Sequence, residues 1–407
     1  MRRSSLALIA AAVLAGPLAT SANAGTSVWS SSNGLLAFRS DRAGEADVYS
    51  IDPAGGTPTR LTDPGVAELQ PAWSAEGERI AFVRRPKLTG TPDLFVMTAN
   101  GTGRTRLTST PVPERDPAWS PNGTMLAYAA RTERDGPFRI FIVKADGSGR
   151  RQLTTQAAGS ADRSPAWSPD GSRIVFVSDR DGGFPELYLM NADGTGVVRL
   201  TNNAVVDGNP SWSPNGSSIV FERCCENGTS DLFTIDVLLG IETNLTASTD
   251  QQEFDPAWSP DGTKIAYVSF LVGQGNIDIW IANADGSGPL RLTQESAPDT
   301  SPDWQPLPAC TITGSTQADH LVGTDGNDVI CGLAGPDDVQ AGAGDDLVVG
   351  GPGDDSVAGR DGGDLLLGES GNDTLGGGAG YDVLDGGGGT DTCVRGADGA
   401  FLRLCEL

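Results

Sequence analysis

Short apolar or alternating runs, such as residues 174–177 and 186–190, recur between residues 70 and 304 and are separated by clusters of Gly, Pro, Asn and Asp. Alternation at a period of two puts successive side chains on opposite faces of a strand, and no run shows the 3.6-residue period of a helix. The pattern predicts an all-β chain.

The strands fall in a longer repeat. The segments "PAWSAEGERIAFV", "PAWSPNGTMLAYA", "PAWSPDGSRIVFVS", "PSWSPNGSSIVFE", "PAWSPDGTKIAYVS" and "PDWQP" place tryptophans at Trp73, Trp119, Trp167, Trp212, Trp258 and Trp304, spaced by 46, 48, 45, 46 and 46 residues. That spacing accommodates one four-stranded propeller blade. In Trp-Ser-Pro-Asp-Gly, Pro at the second turn position and Gly at the fourth suit a tight turn. Two strands follow, then a hairpin such as Ala192-Asp193-Gly194 leads to a strand of Arg/Asn/Gln-Leu-Thr type. This last strand occurs six times, at Leu61, Leu107, Leu153, Leu200, Leu245 and Leu292, which predicts six blades. The count closes when the strand around Trp304 pairs with residues 35–39 of the first blade, joining the ends of the ring. Trp29 is the competitor for that place, but it lacks the preceding proline.

The repeats resemble the TolB-type, WD40-like β-propeller over about residues 30–306. The resemblance implies a six-bladed platform for protein or ligand binding. TolB proteins themselves carry an α/β domain ahead of the propeller, and related propellers gate prolyl-oligopeptidase-type peptidases through an α/β-hydrolase domain; neither domain fits in this chain. Five residues before each blade tryptophan stands an acid: Glu68, Glu114, Asp162, Asp207, Glu253 and Asp299. With the Pro-x-Trp strand innermost, these six are expected as a ring of carboxylates at one channel mouth, a site for a cation or basic ligand. The alternative is that each caps a loop or pairs with an arginine such as Arg42, Arg131 or Arg180.

After Pro308 the period becomes nine. Aspartates stand at Asp319, Asp328, Asp337, Asp346, Asp355, Asp364, Asp373, Asp382 and Asp391, with glycine two residues before each except at Gln317. Two residues after them come Leu321, Ile330, Val339, Val348, Val357, Leu366, Leu375, Leu384 and Cys393. Six residues make a glycine-rich turn, three make a strand with its middle side chain inward, and two repeats complete one coil of a parallel β-roll. Aspartates 18 residues apart then stack at strand spacing, about 4.8 Å. At that distance two charges repel by roughly 3 kcal/mol at an effective dielectric near 20. Residues 307–407 hold 18 acids and three basic residues, a net charge of -15, so a bound cation is needed. Ca²⁺ suits hard carboxylate and carbonyl oxygens in flexible geometry, Mg²⁺ demands tighter geometry, and zinc or copper would want His or thiolate ligands. The single histidine, His320, falls on an exposed strand position and is not expected to be a ligand.

This region resembles the RTX, or haemolysin-type, calcium-binding β-roll across about residues 310–393. The resemblance implies Ca²⁺ as the bound ion, with the nine aspartates as ligands, Asp319 and Asp391 lying at the ends. The family's second glycine is replaced at Thr324, Leu333, Arg360 and Glu369.

Composition narrows the function. The chain has 28 Lys and Arg against 53 Asp and Glu, a formal net charge of -25, which disfavours nucleic acid. Arg2 and Arg3, the apolar run 6–18 and Ala22-Asn23-Ala24 read as a secretory signal over residues 1–24. No mature segment is apolar enough to span a membrane. The expected organisation is a leader at 1–24, a propeller at 25–306 and a calcium-binding roll at 307–407. Export favours disulfides among the six cysteines. Cys310 with Cys331, and Cys393 with Cys405, bracket the two ends of the roll and are the expected pairs. Cys224 and Cys225 are adjacent, either bridged or free thiols.

The leading expectation is a secreted, non-enzymatic calcium-binding protein with its binding surface on the propeller, open to an extracellular or envelope protein or glycan. The alternatives are a carboxylate-based hydrolase or lyase in the propeller channel and a TolB-like envelope interaction protein.

Overall fold

The structure, a computed structural model, describes residues 33–86, 91–155, 159–226, 229–248, 251–271, 276–308, 310–396, 400–403 and 405. The expected leader and Trp29 lie outside the described residues. All regular structure among the described residues is β.

Six four-stranded antiparallel sheets form the blades of a propeller. Each begins at the channel with a Pro-x-Trp strand and ends at the rim with a strand of two or three residues. Blade 4 shows the plan, with strands Asp162–Trp167, Arg173–Ser178, Glu186–Asn191 and Val198–Arg199. Its first turn closes through Gly171 N–H to the Ser168 carbonyl at 2.8 Å, and Gly171 has φ +69°. A left-handed backbone there favours glycine, which explains the fourth turn position. Apolar faces of successive blades pack on each other. The indole N–H of Trp119 donates to the Ala72 carbonyl at 3.2 Å, Trp212 to Ala166 at 3.2 Å and Trp304 to Ala257 at 3.1 Å, so these tryptophans tie one blade to the one before.

The ring closes as the sequence predicts. Strand Asp299–Pro306 is the innermost strand of blade 1 and pairs with Asn33–Ser40, with Trp304 opposite Leu36. The buried Gln305 reinforces this seam: its Oε1 accepts from Leu35 N–H at 3.1 Å and its Nε2 donates to the Gly77 carbonyl of blade 2 at 2.8 Å.

Beyond the seam the chain winds into two parallel sheets, one of six strands and one of five, with partners 18 residues apart. Ile330, Val339, Val348, Val357, Leu366, Leu375, Leu384 and Cys393 point inward as expected and form one narrow core. The middle strands run to six residues rather than three, for example Ser356–Asp361, because the glycines after each apolar triplet continue the ladder. Leu333, Arg360 and Glu369, which replace the second glycine, follow the glycine path with φ of +81°, +82° and +72°, a conformation disfavoured by about 1–2 kcal/mol for side chains bearing a Cβ. Disulfides join Cys310 to Cys331 and Cys393 to Cys405, the expected pairs. Cys224 is also disulfide-bonded; the side chain of Cys225 lies outside the described residues.

The two faces of the roll differ. Outward positions of the five-stranded sheet are largely polar, including His320, Asp338, Ser356 and Thr374. Those of the six-stranded sheet include Val329, Cys331, Leu347, Val349, Leu365 and Leu367, with Thr313 and Asp385 at the ends of this stretch, and Leu307 packs into its apolar part with 2% of its surface exposed.

Candidate functional site

In the roll, each aspartate from Asp337 to Asp391 accepts a hydrogen bond at Oδ1 from the backbone N–H of the aspartate one coil earlier. Asp337 receives Asp319, Asp355 receives Asp337 and Asp373 receives Asp355, each at 2.8 Å; Asp391 receives Asp373 at 2.9 Å. On the other edge Asp346, Asp364 and Asp382 receive Asp328, Asp346 and Asp364 at 2.7–3.1 Å. The nine carboxylates thus form two stacks, one along each edge, as the period requires.

The second oxygen separates the nine aspartates into groups. In Asp337, Asp346, Asp355, Asp364, Asp373 and Asp382, Oδ2 is buried without a hydrogen-bond partner. A buried carboxylate oxygen left unsatisfied is costly unless a cation or proton takes it up. Five of these oxygens face a glycine: a Cβ at Gly332, Gly350, Gly359, Gly368 or Gly377 would lie 2.2–2.4 Å from Oδ2. At Gly332, Gly359 and Gly368 the same Cβ would meet the carbonyl of Gly350, Gly377 or Gly386 at 2.4–2.6 Å. The space a side chain would fill is therefore rimmed by a carboxylate and a carbonyl oxygen. These hard donors fit Ca²⁺. Asp346 has Ala341 at the corresponding place, so a methyl group occupies its cradle. Among the described residues no group of three or more His, Cys, Asp and Glu side chains is arranged to hold an ion, which leaves main-chain carbonyls as the necessary co-ligands.

Asp319 and Asp328 differ from the rest. Oδ2 of Asp319 takes bonds from Ser315 N–H at 2.6 Å and Oγ at 2.8 Å, and Oδ2 of Asp328 from Thr324 N–H at 2.7 Å and Oγ1 at 2.8 Å. The Thr324 N–H and hydroxyl hold the Asp328 carboxyl below its usual range. The first two repeats thus satisfy their carboxylates with protein donors. His320 is exposed and its Nδ1 lies 2.9 Å from Asp338 Oδ2, away from both stacks.

Electrostatics mark the middle of the stacks. Burial, then the neighbouring carboxylates of Asp346 and Asp382, pushes Asp364 up to about 6; burial, then Asp355 and Asp391, does the same for Asp373. Asp346 and Asp355 are raised for the same reasons.

The expected carboxylate ring in the propeller requires correction. Glu68, Glu114, Asp162, Asp207, Glu253 and Asp299 are at most 2% exposed, and none lines the channel. Each is buried in the propeller wall. Asp207 takes Arg223 Nε at 2.7 Å and Nη2 at 2.9 Å; Asp162 takes Ser178 Oγ at 2.6 Å and Arg180 Nη2 at 3.0 Å. Asp299 takes Arg42 at 2.7 Å, Glu68 lies 3.5 Å from Arg84, Glu114 accepts from Thr108 and Thr110, and Glu253 accepts from Ser248. Arg42 and Arg180 play the pairing role the alternative named for them, whereas Arg131 Nη1 donates to the Arg134 carbonyl. The cause is a bulge in every inner strand. It sits three residues before the tryptophan, where Gln70, Asp116, Ser164, Asn209, Asp255 and Ser301 adopt φ of +44° to +54°.

These six residues, not the acids two positions earlier, line the channel, which encloses about 330 Å³. They link into a collar. Gln70 and Asp116 bond each other, Ser164 N–H donates to Asp116, Ser164 Oγ donates to Asn209, Asn209 donates to Asp255 at 2.6 Å, and Ser301 Oγ lies 3.4 Å from Asp255. Behind the collar Glu222 accepts from Asp255 N–H at 3.0 Å. Burial, and for Glu222 the neighbouring Asp255, raises both carboxyls. Burial lifts Asp303 to about 7, while Trp73 N–H donates to it at 2.6 Å. The available sequence signal was the polar residue immediately before every Pro of Pro-x-Trp.

The chain matches the family model for the TolB beta propeller domain over residues 18–162 and 148–254, and the RTX calcium-binding nonapeptide repeat in four copies over 311–339, 332–366, 340–375 and 367–400. Among curated relatives it is 48% identical over 52 residues to the Tol-Pal system protein TolB of Anaeromyxobacter dehalogenans (strain 2CP-C), a match covering 12% of this chain and about a tenth of that relative's length (11%). Its fold is similar to TolB from Acinetobacter baumannii, with a TM-score of 0.57, 22% identity, and coverage of 67% of this chain and 66% of that one. A putative TolB from Agrobacterium tumefaciens gives a TM-score of 0.52 at 19% identity, covering 68% and 99%. Those structural likenesses concern the fold alone. With the propeller model spanning more than half of its length, the chain belongs to the TolB beta propeller family, and it carries RTX calcium-binding repeats behind the propeller.

Proposed function

We propose that this is a secreted or periplasmic, non-enzymatic protein whose roll folds around Ca²⁺ and whose propeller presents a binding platform to an extracellular or envelope protein or glycan. The observation that carries the calcium reading is the row of buried, partnerless Oδ2 atoms facing glycine cradles. Asp337, Asp355, Asp364, Asp373 and Asp382 would hold the ions together with backbone carbonyls, while Asp319 and Asp328 close the stacks with protein donors. When bound, Ca²⁺ supplies positive charge and draws carboxylate and carbonyl oxygens together. The chain's own contribution is a preset ladder: Oδ1 is fixed by an N–H from the preceding coil, so each Oδ2 is held in place. The location rests on the leader read from the sequence.

The platform reading draws support from the collar. Asp116 and Asp255 each engage both carboxylate oxygens in collar bonds, and behind them Glu222 accepts from Asp255 N–H and Asn209 Nδ2. That arrangement commits the collar carboxylates to bonds within the ring and makes a polar channel mouth, as a binding platform requires.

Thermal unfolding of the full chain in calcium and in chelator tests the calcium reading. For sites with Kd near 10⁻⁴ to 10⁻³ M, 10 mM calcium contributes about 1.4 to 2.7 kcal/mol per site. The transition reporting on the roll should move upward accordingly. A melting curve insensitive to chelator would reduce the roll to a metal-free solenoid.

A further inference from the structure

The seam is where the ring of blades depends on noncovalent pairing between distant parts of the chain, because the innermost strand of blade 1 comes from residues 299–306 and its other strands from residues 33–60. That closing strand runs directly into the roll. Pro306 pairs with Asn33, and the next residue, Leu307, is buried against Cys331 and Val349 of the six-stranded sheet. Three residues later Cys310 is disulfide-bonded to Cys331. The roll also meets blade 1 itself: Leu367, Glu369, Asp385 and Gly387 line a cavity of about 230 Å³ together with Gly34, Leu35, Asp52, Pro53 and residues 55–57.

We propose that the roll is a calcium-operated clasp on the propeller seam, so that ion binding along the aspartate stacks controls how tightly Asp299–Pro306 is held against Asn33–Ser40. The inference rests on the calcium reading above and adds a consequence for the propeller. Val329, Leu347, Val349 and Leu367, which cover Leu307, belong to strands that run into the open cradles Gly332–Asp337, Gly350–Asp355 and Gly368–Asp373. Neutralising these stacks keeps the coils in register and Leu307 covered. Without the ion, repulsion along the stacks loosens the sheet, Leu307 loses its cover, and the C-terminal end of the closing strand is released. Opening then begins at Pro306 and Gln305 and spreads toward Asp299. The Gln305 bonds to Leu35 and Gly77 are among the first affected. Strand pairs on the far side of the ring, such as Arg173–Ser178 with Glu186–Asn191, have no such connection and should not respond.

Hydrogen exchange on the full chain, with calcium and after its removal, separates the possibilities by segment. The clasp predicts that amides of residues 33–40 and 299–306 exchange at least tenfold faster without calcium, together with those of residues 320–394, while residues 173–191 keep their rates. Roll amides that respond while seam amides do not would overturn the clasp and leave the calcium reading standing. Roll amides that fail to respond would overturn both. Uniform loss of protection in all blades would also contradict a seam-specific device. In the variant Leu307→Ser the roll should keep its calcium response while the seam exchanges fast in both conditions; a seam still protected tenfold by calcium would rule out the Leu307 route and overturn the proposal.

Discussion

Asp207→Ala is expected to destabilise the propeller by about 3 to 5 kcal/mol, the range for breaking a buried ion pair by removing one partner. Arg223 is 7% exposed and gives two of its nitrogens to Asp207 and a third to Glu242 at 2.7 Å. Removing Asp207 leaves a guanidinium buried beside Phe221 and Phe233 with half of its anionic partners gone. The check is the urea midpoint followed by tryptophan fluorescence. An unchanged midpoint accompanied by loss of a bound ligand would restore the view of this acid as part of a binding ring.

Calcium-free protein should show a roll that is more stable near pH 5 than at pH 7. In the folded state Asp364 and Asp373 are raised to about 6 and Asp346 and Asp355 are raised too, against an ordinary aspartate value of about 3.9. Between about pH 4 and 6 the folded roll therefore binds more protons than the unfolded chain, so stability grows as pH falls into this window and is lost as pH rises through about 6. Protons and calcium neutralise the same oxygens. With calcium present the dependence should weaken or reverse, because acid then displaces the ion. Circular dichroism from pH 7 to 5, with and without calcium, reads both curves. Calcium-free signal that falls steadily toward pH 5 would contradict the stacked-carboxylate account.

The six blades, the Trp304 seam and the two-repeat coil were legible because each depends on periodicity or on local turn chemistry, and the two disulfides because their cysteines bracket the ends of the roll. The Asp stacks were legible for the same reason: an 18-residue coil must place Asp355 over Asp337 and Asp373 over Asp355. The channel lining was not, because a bulge breaks the period-two rule on which the facing of Glu68 or Asp207 was judged, and one left-handed residue is enough to bring Gln70 or Asp116 into the channel. The apolar outer face of the roll was present in the sequence as triplets on every second repeat, Val-Ile-Cys at 329–331, Leu-Val-Val at 347–349 and Leu-Leu-Leu at 365–367, against Asp-Val-Gln and Ser-Val-Ala on the alternate ones. A period of 18 superposed on nine identifies the sheet that is covered. The distinction between the capped Asp319 and Asp328 and the open aspartates also lay in local chemistry, in the hydroxyls of Ser315 and Thr324 four residues ahead.

Calorimetric titration of the full chain with calcium is the most direct measurement, run beside a variant carrying Asp355→Asn, Asp364→Asn and Asp373→Asn. The natural chain should bind calcium saturably and the variant should lose most of that binding, whereas Asp319→Asn and Asp328→Asn, at positions already satisfied by protein donors, should leave the stoichiometry nearly unchanged. Equal calcium uptake by the natural chain and the triple variant would show that the partnerless aspartate oxygens are not the site.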